Sequence, residues 1–309
     1  MPAKTEVTFS GSIPDTYDRY IGPLLMVPYA RDLAKRLPIH GLSDVLELAC
    51  GTGIVTQAIR DRLGEETRLV ATDLSEDMLK VAQAKTMAKK VEWKVADATS
   101  LPFKDNSFDM VVCQFGVMFF PDKEKAMKEV FRVLRPGGRV LFNTWDKIKF
   151  NDFPRIAMSV IGQMFDNNPP EFYNIPFGYF DHFEIRTLLR GTGFNDIALS
   201  TIEMKVQADP VDAAKGAVEG NPIADEIKNR LGKDIKEATE RVERAFASEL
   251  GQRIAKGHAQ AIVFGARKAG DLPAAAAPKE THRTAADQTK PKAEKPRVAK
   301  AKPKPKAAK

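Results

Sequence analysis

Short apolar runs recur along this chain, and helix-spaced segments follow them. Residues 44–50, Asp-Val-Leu-Glu-Leu-Ala-Cys, read as a strand, and Ile54–Leu63 as a helix that stops at Gly64. Arg68–Thr72 is a second strand running into Asp73, and Leu74–Leu79 opens a helix with Ser75 at its N-cap. Further along, Phe183–Arg190 reads as a helix ending near Gly191-Thr192-Gly193, and Asp196–Val206 as a strand. Residues 210–250 are helical in pattern, with Ala213, Ala214, Ala217 and Val218 on one face and Ile235, Ala238, Val242 and Phe246 on another. Gln260–Ala266 then supplies a closing apolar strand. Strands alternating with helices predict a parallel sheet, and the helices placed before the last strand predict a cap over its crevice.

The first strand-to-helix turn, Cys50-Gly51-Thr52-Gly53, carries the candidate chemistry. In open α/β sheets the ligand crevice lies outside the carboxyl ends of the strands, and glycines there let backbone N–H groups approach a ligand closely. Asp73 lies twenty positions after Gly53, at the tip of the second strand, where a carboxylate can accept hydrogen bonds from both hydroxyls of a ribose. A dinucleotide fingerprint would put a third glycine where Thr56 stands, to pack helix and strand around a pyrophosphate. Thr56, with the acid Glu47 ahead of the turn, suits instead a nucleoside without phosphates that carries an ammonium and a sulfonium.

On these residues the chain resembles the class I S-adenosylmethionine-dependent methyltransferases, and within them the small-molecule branch of the ubiquinone and menaquinone methyltransferases. Residues 96–103 look like that family's third-strand exit, where the Asp97 carboxylate and the Ala98 backbone meet the adenine. Residues 107–115 look like the fourth strand, whose exit at Gln114 faces the reacting methyl, and 129–140 like the helix, turn and fifth strand that follow. Asp73 through Met78 match the second-strand exit, with Leu74 and Met78 beside the adenine. The family's usual glycine is Ala49 here, which adds a methyl near the ligand. The resemblance spans roughly residues 40–205. It implies a Rossmann-like, mostly parallel seven-stranded sheet with helices on both faces, S-adenosylmethionine as cofactor, and a cofactor set of Glu47, Ala49, Gly51, Gly53, Asp73, Leu74, Met78, Asp97, Ala98 and Gln114.

Residues 1–40 are expected to form a helical lid, 41–268 the methyltransferase domain (core 41–205, cap 210–255, closing strand 258–267) and 269–309 a tail. In similar methyltransferases a Tyr-Asp segment such as Tyr17-Asp18-Arg19-Tyr20 folds over the cofactor, so Tyr17, Arg19 and Tyr20 are candidates to close the site and exclude water. An N-terminal helix merely packed on the sheet is the alternative. Asn143-Thr144-Trp145-Asp146 and the aromatic stretch 172–183 are expected to line an apolar acceptor pocket. His182 is the candidate base for an oxygen acceptor, with a helix cap or surface residue as the competing role.

Composition changes the picture in one place. Of 48 Lys and Arg and 41 Asp and Glu, eleven basic and four acidic residues fall in 271–309, which leaves 37 of each in residues 1–270. The whole net charge of +7 therefore belongs to a Lys, Pro and Ala-rich tail. That composition predicts disorder and makes sequence-independent contact with nucleic-acid phosphates one hypothesis for it; a solubilising appendage is the other. No 18-residue apolar stretch and no signal-like N-terminus is visible, so a cytoplasmic protein without a membrane span is expected. Two cysteines, Cys50 and Cys113, are too few for a disulfide framework and lack metal-ligand spacing, so no metal is expected. The leading reading is methyl transfer to a small, apolar or aromatic acceptor. A nucleic-acid methyltransferase that uses the tail to retain its substrate, or a cofactor-binding protein without turnover, are the alternatives. Oligomeric state is left open.

Overall fold

β1 (Asp44–Glu47), β2 (Arg68–Asp73), β3 (Val91–Val95), β4 (Phe108–Gln114) and β5 (Leu134–Trp145) run parallel, with β1 at the centre between β2 and β4. β6 (Phe194–Ala208) and β7 (Ala255–Lys268) complete a seven-stranded sheet in the order β3-β2-β1-β4-β5-β7-β6, with β7 antiparallel to both of its neighbours. The computed structural model from which this is read describes residues 8–38, 40–85, 90–165, 168–232 and 235–270. The expectation for the basic tail, from residue 271 onward, lies outside the described residues.

The helices are α1 (Ile13–Thr16), α2 (Val27–Lys35), α3 (Ile54–Arg60), α4 (Glu76–Ala84), α5 (Lys123–Val133), α6 (Asp152–Gly162), α7 (His182–Thr192), α8 (Pro210–Glu219), α9 (Ile223–Leu231) and α10 (Ile235–Leu250). Between α1 and α2 the chain winds wider over Tyr17–Met26, a π-helical segment closed by a bond from Val27 N–H to the Gly22 carbonyl. Both faces are covered at the centre of the sheet, so β1, β2 and β4 read as continuous apolar runs, and every residue of β4 is buried. One core gathers Val45, Leu69, Met110, Val112 and Leu141 under Leu33, Val55 and Ile59; a larger one takes Leu46, Val111, Val140 and Phe142 on the opposite face.

Side-chain bonds fix the strand ends. Asp109 accepts from the backbone N–H of Ser43 (2.6 Å) and Asp44 (2.9 Å) and pairs with Arg135, which also reaches Asp44, so one ion cluster holds β1, β4 and β5 at their amino ends. Arg132 of α5 donates to the carbonyls of Phe103 (2.7 Å) and Leu101 (3.0 Å), pinning the loop between β3 and β4.

The cap lies where expected, as α8, α9 and α10 between β6 and β7. Its expected apolar faces are buried: Ala213, Ala214 and Val218 on α8, and Ala238, Val242 and Phe246 on α10. α10 packs on α8 and α6, and α8 packs on the π-helical segment. Gly216 makes this last approach possible, since a methyl there would sit 3.1 Å from the Tyr20 Cβ. β6 and β7 are longer than their apolar runs suggest, because each pairs along nearly its whole length with the other, Phe194 opposite Lys268 through to Ala208 opposite Ala255. Among the described residues no helix is long and apolar enough to cross a membrane.

Candidate cofactor and acceptor site

Glu47, the turn 48–53 and Asp73 meet at the carboxyl ends of β1 and β2. The Thr72 hydroxyl donates to the Glu47 carbonyl (2.9 Å) and Cys50 N–H to the Thr72 carbonyl (2.9 Å), which ties the two exits together. Gly51 and Gly53 both have left-handed backbone, at φ +54° and +78°. At Gly53 a methyl would also press on Ala82 (3.1 Å) and the Trp93 ring (3.2 Å), whereas above Gly51 a methyl would meet nothing within 4 Å. The turn is thus packed tightly behind and open in front.

Asp73 accepts from the N–H groups of Gly51 (2.7 Å) and Ser75 (2.9 Å), one on each carboxylate oxygen, and each oxygen keeps a second lone pair for a hydroxyl. Its carboxyl is pushed upward by burial, which these backbone donors partly offset. Next along, Leu74 is 65 % exposed, an uncovered apolar face beside the acid, while Ser75 caps α4 by accepting from Met78 N–H at 3.2 Å.

Glu47 is 1 % exposed, and its Oε2 has no hydrogen-bond partner. Burial pushes its carboxyl up to about 8; the Thr56 hydroxyl, close by but outside hydrogen-bonding geometry, partly offsets this, and Asp73 adds to it. A buried, unpartnered acid that is costly to ionise alone is chemically suited to receive a cation. Open space over Gly51, spare acceptor capacity on Asp73, an apolar face at Leu74 and this orphaned acid together fit S-adenosylmethionine, which carries a ribose, an adenine and an ammonium.

Other residues expected at the site lie differently. Met78 is buried, so the exposed apolar surface beside Asp73 belongs to Leu74. Both Asp97 oxygens are used locally, by the N–H (2.7 Å) and hydroxyl (2.8 Å) of Thr99, which fixes the turn carrying buried Ala98. Arg19 is exposed, its guanidinium over the Tyr20 ring at 5.2 Å, and Tyr20 packs on α8 under Lys215. The preceding residues face the turn instead: the Thr52 hydroxyl donates to Asp18 (2.6 Å), Lys85 pairs with the same carboxylate, and Tyr17 is close enough to Asp18 and Asp73 for their charges, after burial itself, to push its hydroxyl upward. Sequence reasoning missed Asp18 and Phe9. The Phe9 carbonyl accepts from the Ser75 hydroxyl (2.7 Å), and its ring stands edge-on between Tyr17 and Phe119. His182 is exposed at the first turn of α7, whose N-cap is Asp181.

Ala49 is also left-handed, at φ +49°, as is Phe115 after β4, at φ +50°. These two turns abut: a methyl on Gly116 would lie 2.5 Å from the Ala49 Cβ and 2.7 Å from the Cys113 sulfur, so the glycine makes room for the alanine. The Phe115 ring stacks on Trp145 at 3.7 Å and 7°, with Tyr29 edge-on to both at 5.3 and 5.2 Å and Phe177 beyond Trp145 at 5.9 Å. Tyr29 is held by a 2.6 Å bond to the Ala259 carbonyl, and Tyr173 by a 3.0 Å bond to the Ala217 carbonyl of α8. A packed aromatic cluster thus stands at the ends of β4 and β5, joined by Tyr29 from α2 and tied to α8 through Tyr173. Among the described residues no group of three His, Cys, Asp or Glu is arranged to hold a metal ion.

A methyltransferase-domain family profile matches residues 46–142. A demethylmenaquinone methyltransferase from Staphylococcus epidermidis is 33% identical over 177 residues, 54% of this chain and 73% of that enzyme. A ubiquinone/menaquinone biosynthesis C-methyltransferase from Cronobacter sakazakii is 41% identical over 110 residues, 34% of this chain and 44% of that enzyme. A Haemonchus contortus phosphoethanolamine N-methyltransferase, solved with phosphomonomethylethanolamine and S-adenosylhomocysteine, shares the fold at a TM-score of 0.54 and 20% identity, over 83% of this chain and 57% of that one. With the strand order, the glycine turn and the acid at the tip of β2, these likenesses show that the chain belongs to the class I S-adenosylmethionine-dependent methyltransferases.

Proposed function

We propose that this methyltransferase acts on a small, flat, aromatic or otherwise apolar acceptor. The observation that carries this is the cluster of Tyr29, Phe115, Trp145 and Phe177 at the ends of β4 and β5, next to the turn that carries Gly51. Aromatic walls with few polar groups suit a small apolar ligand. The relatives named for quinone methylation fit the same class of acceptor.

The cofactor supplies a methyl on a positively charged sulfur, ready for in-line displacement. The chain's own work is to hold and align. Glu47 and Asp73 receive the ammonium and the ribose hydroxyls, the Gly51 turn leaves room for them, and Leu74 flanks the adenine. Alignment of two bound reactants is worth about 7–11 kcal/mol of barrier. Tyr17 and Asp18 close the site against water. The basic tail is a separate module for contact with polyanions, since the rest of the chain has equal numbers of acidic and basic residues.

Incubating the full chain with methyl-labelled S-adenosylmethionine and a panel of hydroxylated naphthalenes, duplex DNA, transfer RNA and bulk protein tests this. Label is expected in the solvent-extractable naphthalene fraction. Label confined to nucleic acid or protein would overturn the reading.

A further inference from the structure

β6 is the longest strand of the sheet and stands at its edge, where among the described residues it pairs with β7 alone. Such an edge offers a row of unpaired N–H and C=O groups, which proteins blunt by shortening the strand, bending it, inserting a proline or covering it. The opposite edge is short: β3 has five residues, and its Glu92 pairs with Arg68 of β2. β6 runs for fifteen residues without a proline or glycine. Its one register shift lies between Asn195 and Ala198, so from Ala198 to Ala208 it stays in step with β7.

The far half of this edge carries two unsatisfied charges. Thr201, Glu203, Lys205 and Gln207 are exposed, while Ile202 and Met204 between them are half-buried. Glu203 and Lys205 flank Met204, and across the ladder they face Gln260 and His258, so neither meets an opposite charge on β7. Among the described residues neither side chain has an ion-pair or hydrogen-bond partner.

A second copy of the same strand supplies what is missing. Two identical edges join antiparallel about a two-fold axis normal to the sheet, and each residue then opposes one whose side chain lies on the same face. The axis therefore passes between one residue and its own copy. Centred on Met204, it sets Glu203 of each copy opposite Lys205 of the other, so two ion pairs form at once, with Ile202 opposite Val206 and Thr201 opposite Gln207. Moving the axis by one residue sets Glu203 or Lys205 against itself. Moving it by two sets Lys205 against Leu199 or Glu203 against Asp209. The charges thus specify a single register.

We propose that residues 201–207 of β6 form the interface of a homodimer in which two seven-stranded sheets join edge to edge. Main-chain hydrogen bonds supply the affinity, the paired charges fix the register, and the new strand covers Ile202 and Met204. β6 runs parallel to β5, since β7 is antiparallel to both, so the two cofactor rims open at opposite ends of the joined sheet. Neither copy lends a residue to the other's site, and assembly leaves methyl transfer unchanged.

Sedimentation equilibrium of the full chain, whose mass is 34.2 kDa, tests this. The native protein is expected to double in mass as its concentration rises through roughly the micromolar range, because a single strand pair is a small interface. Glu203→Lys and Lys205→Glu each set like charges opposite one another at both pairs, and each should weaken association about tenfold or more. An equimolar mixture of these two variants restores opposite charges at both pairs and should dimerise, as should the chain that carries both substitutions. The melting temperature and methyl-transfer rate of every variant should match those of the native protein, which separates loss of assembly from loss of fold. A native chain that stays monomeric up to about millimolar concentration would overturn the proposal. So would a dimer that survives either single substitution, or single variants that stay apart on mixing.

Discussion

Glu47 is the residue at which charge and ligand are coupled most tightly. Buried without a partner, it keeps its proton up to about 8, whereas in the unfolded chain it loses it near 4.5. The folded form therefore binds the extra proton between those values, and stability falls as pH rises through that window, by roughly 3–5 kcal/mol in all. Glu47→Gln should flatten this loss, which chemical denaturation at pH 5 and pH 9 would measure. An arriving ammonium reverses the balance by favouring the carboxylate, so cofactor binding near neutral pH should release about one proton and strengthen as pH rises toward 8. Calorimetry in buffers of different ionisation enthalpy reads that proton directly, and a release of none would contradict the assignment. The acid, the two glycines and Asp73 were legible in sequence because turn chemistry and a positive φ permit few residue types there. Phe9 was not, since its place at the rim follows from a backbone carbonyl that meets the Ser75 hydroxyl, which no residue type signals.

At the level of elements, the segment from Phe9 to Lys35 is bolted to the cofactor rim at separate points: Ser75 to the Phe9 carbonyl, Asp77 to Gly11 N–H, and Thr52 with Lys85 to Asp18. Asp18 engages the glycine turn itself, through the Thr52 hydroxyl. Asp18→Ala should loosen the lid, raising hydrogen exchange over residues 13–26 and speeding cofactor release about tenfold, the effect of losing one well-placed charged hydrogen bond. Stopped-flow displacement of S-adenosylhomocysteine measures it, and an unaltered release rate would show that the segment packs on the sheet without gating it. Apolar periodicity found a helical segment here but could not tell which residues face the site. Over Tyr17–Met26 the backbone winds wider than the 3.6 residues per turn assumed in reading a face, so Arg19 and Tyr20 turn toward solvent and α8 while Tyr17 and Asp18 meet the turn. The central strands β1 and β2 read clearly because burial on both sides makes them continuous apolar runs, whereas β3, Val-Glu-Trp-Lys-Val at the edge, has no buried residue and no such run. β6 alternates half-buried and exposed positions, so its apolar pattern, Asp196–Val206, falls short of the strand at both ends.

For the whole molecule, charge and catalysis are separable. Residues 1–270 hold 37 basic and 37 acidic groups, so the excess of seven positive charges resides after residue 270. A chain ending at residue 270 should keep the melting temperature and the methyl-transfer rate of the full chain and lose any retardation of duplex DNA that fades between about 50 and 200 mM salt. Retardation by the shortened chain would assign the contact to the folded part instead. A second separation is built into the sheet. Ala208, where β6 leaves for the cap, stands opposite Ala255, where β7 begins. Departure and return therefore share one rung of an antiparallel ladder, and three helices hang from it as a cassette. A change of length or sequence within those helices therefore leaves the register of the sheet, and with it the donor side of β1 and β2, unaltered.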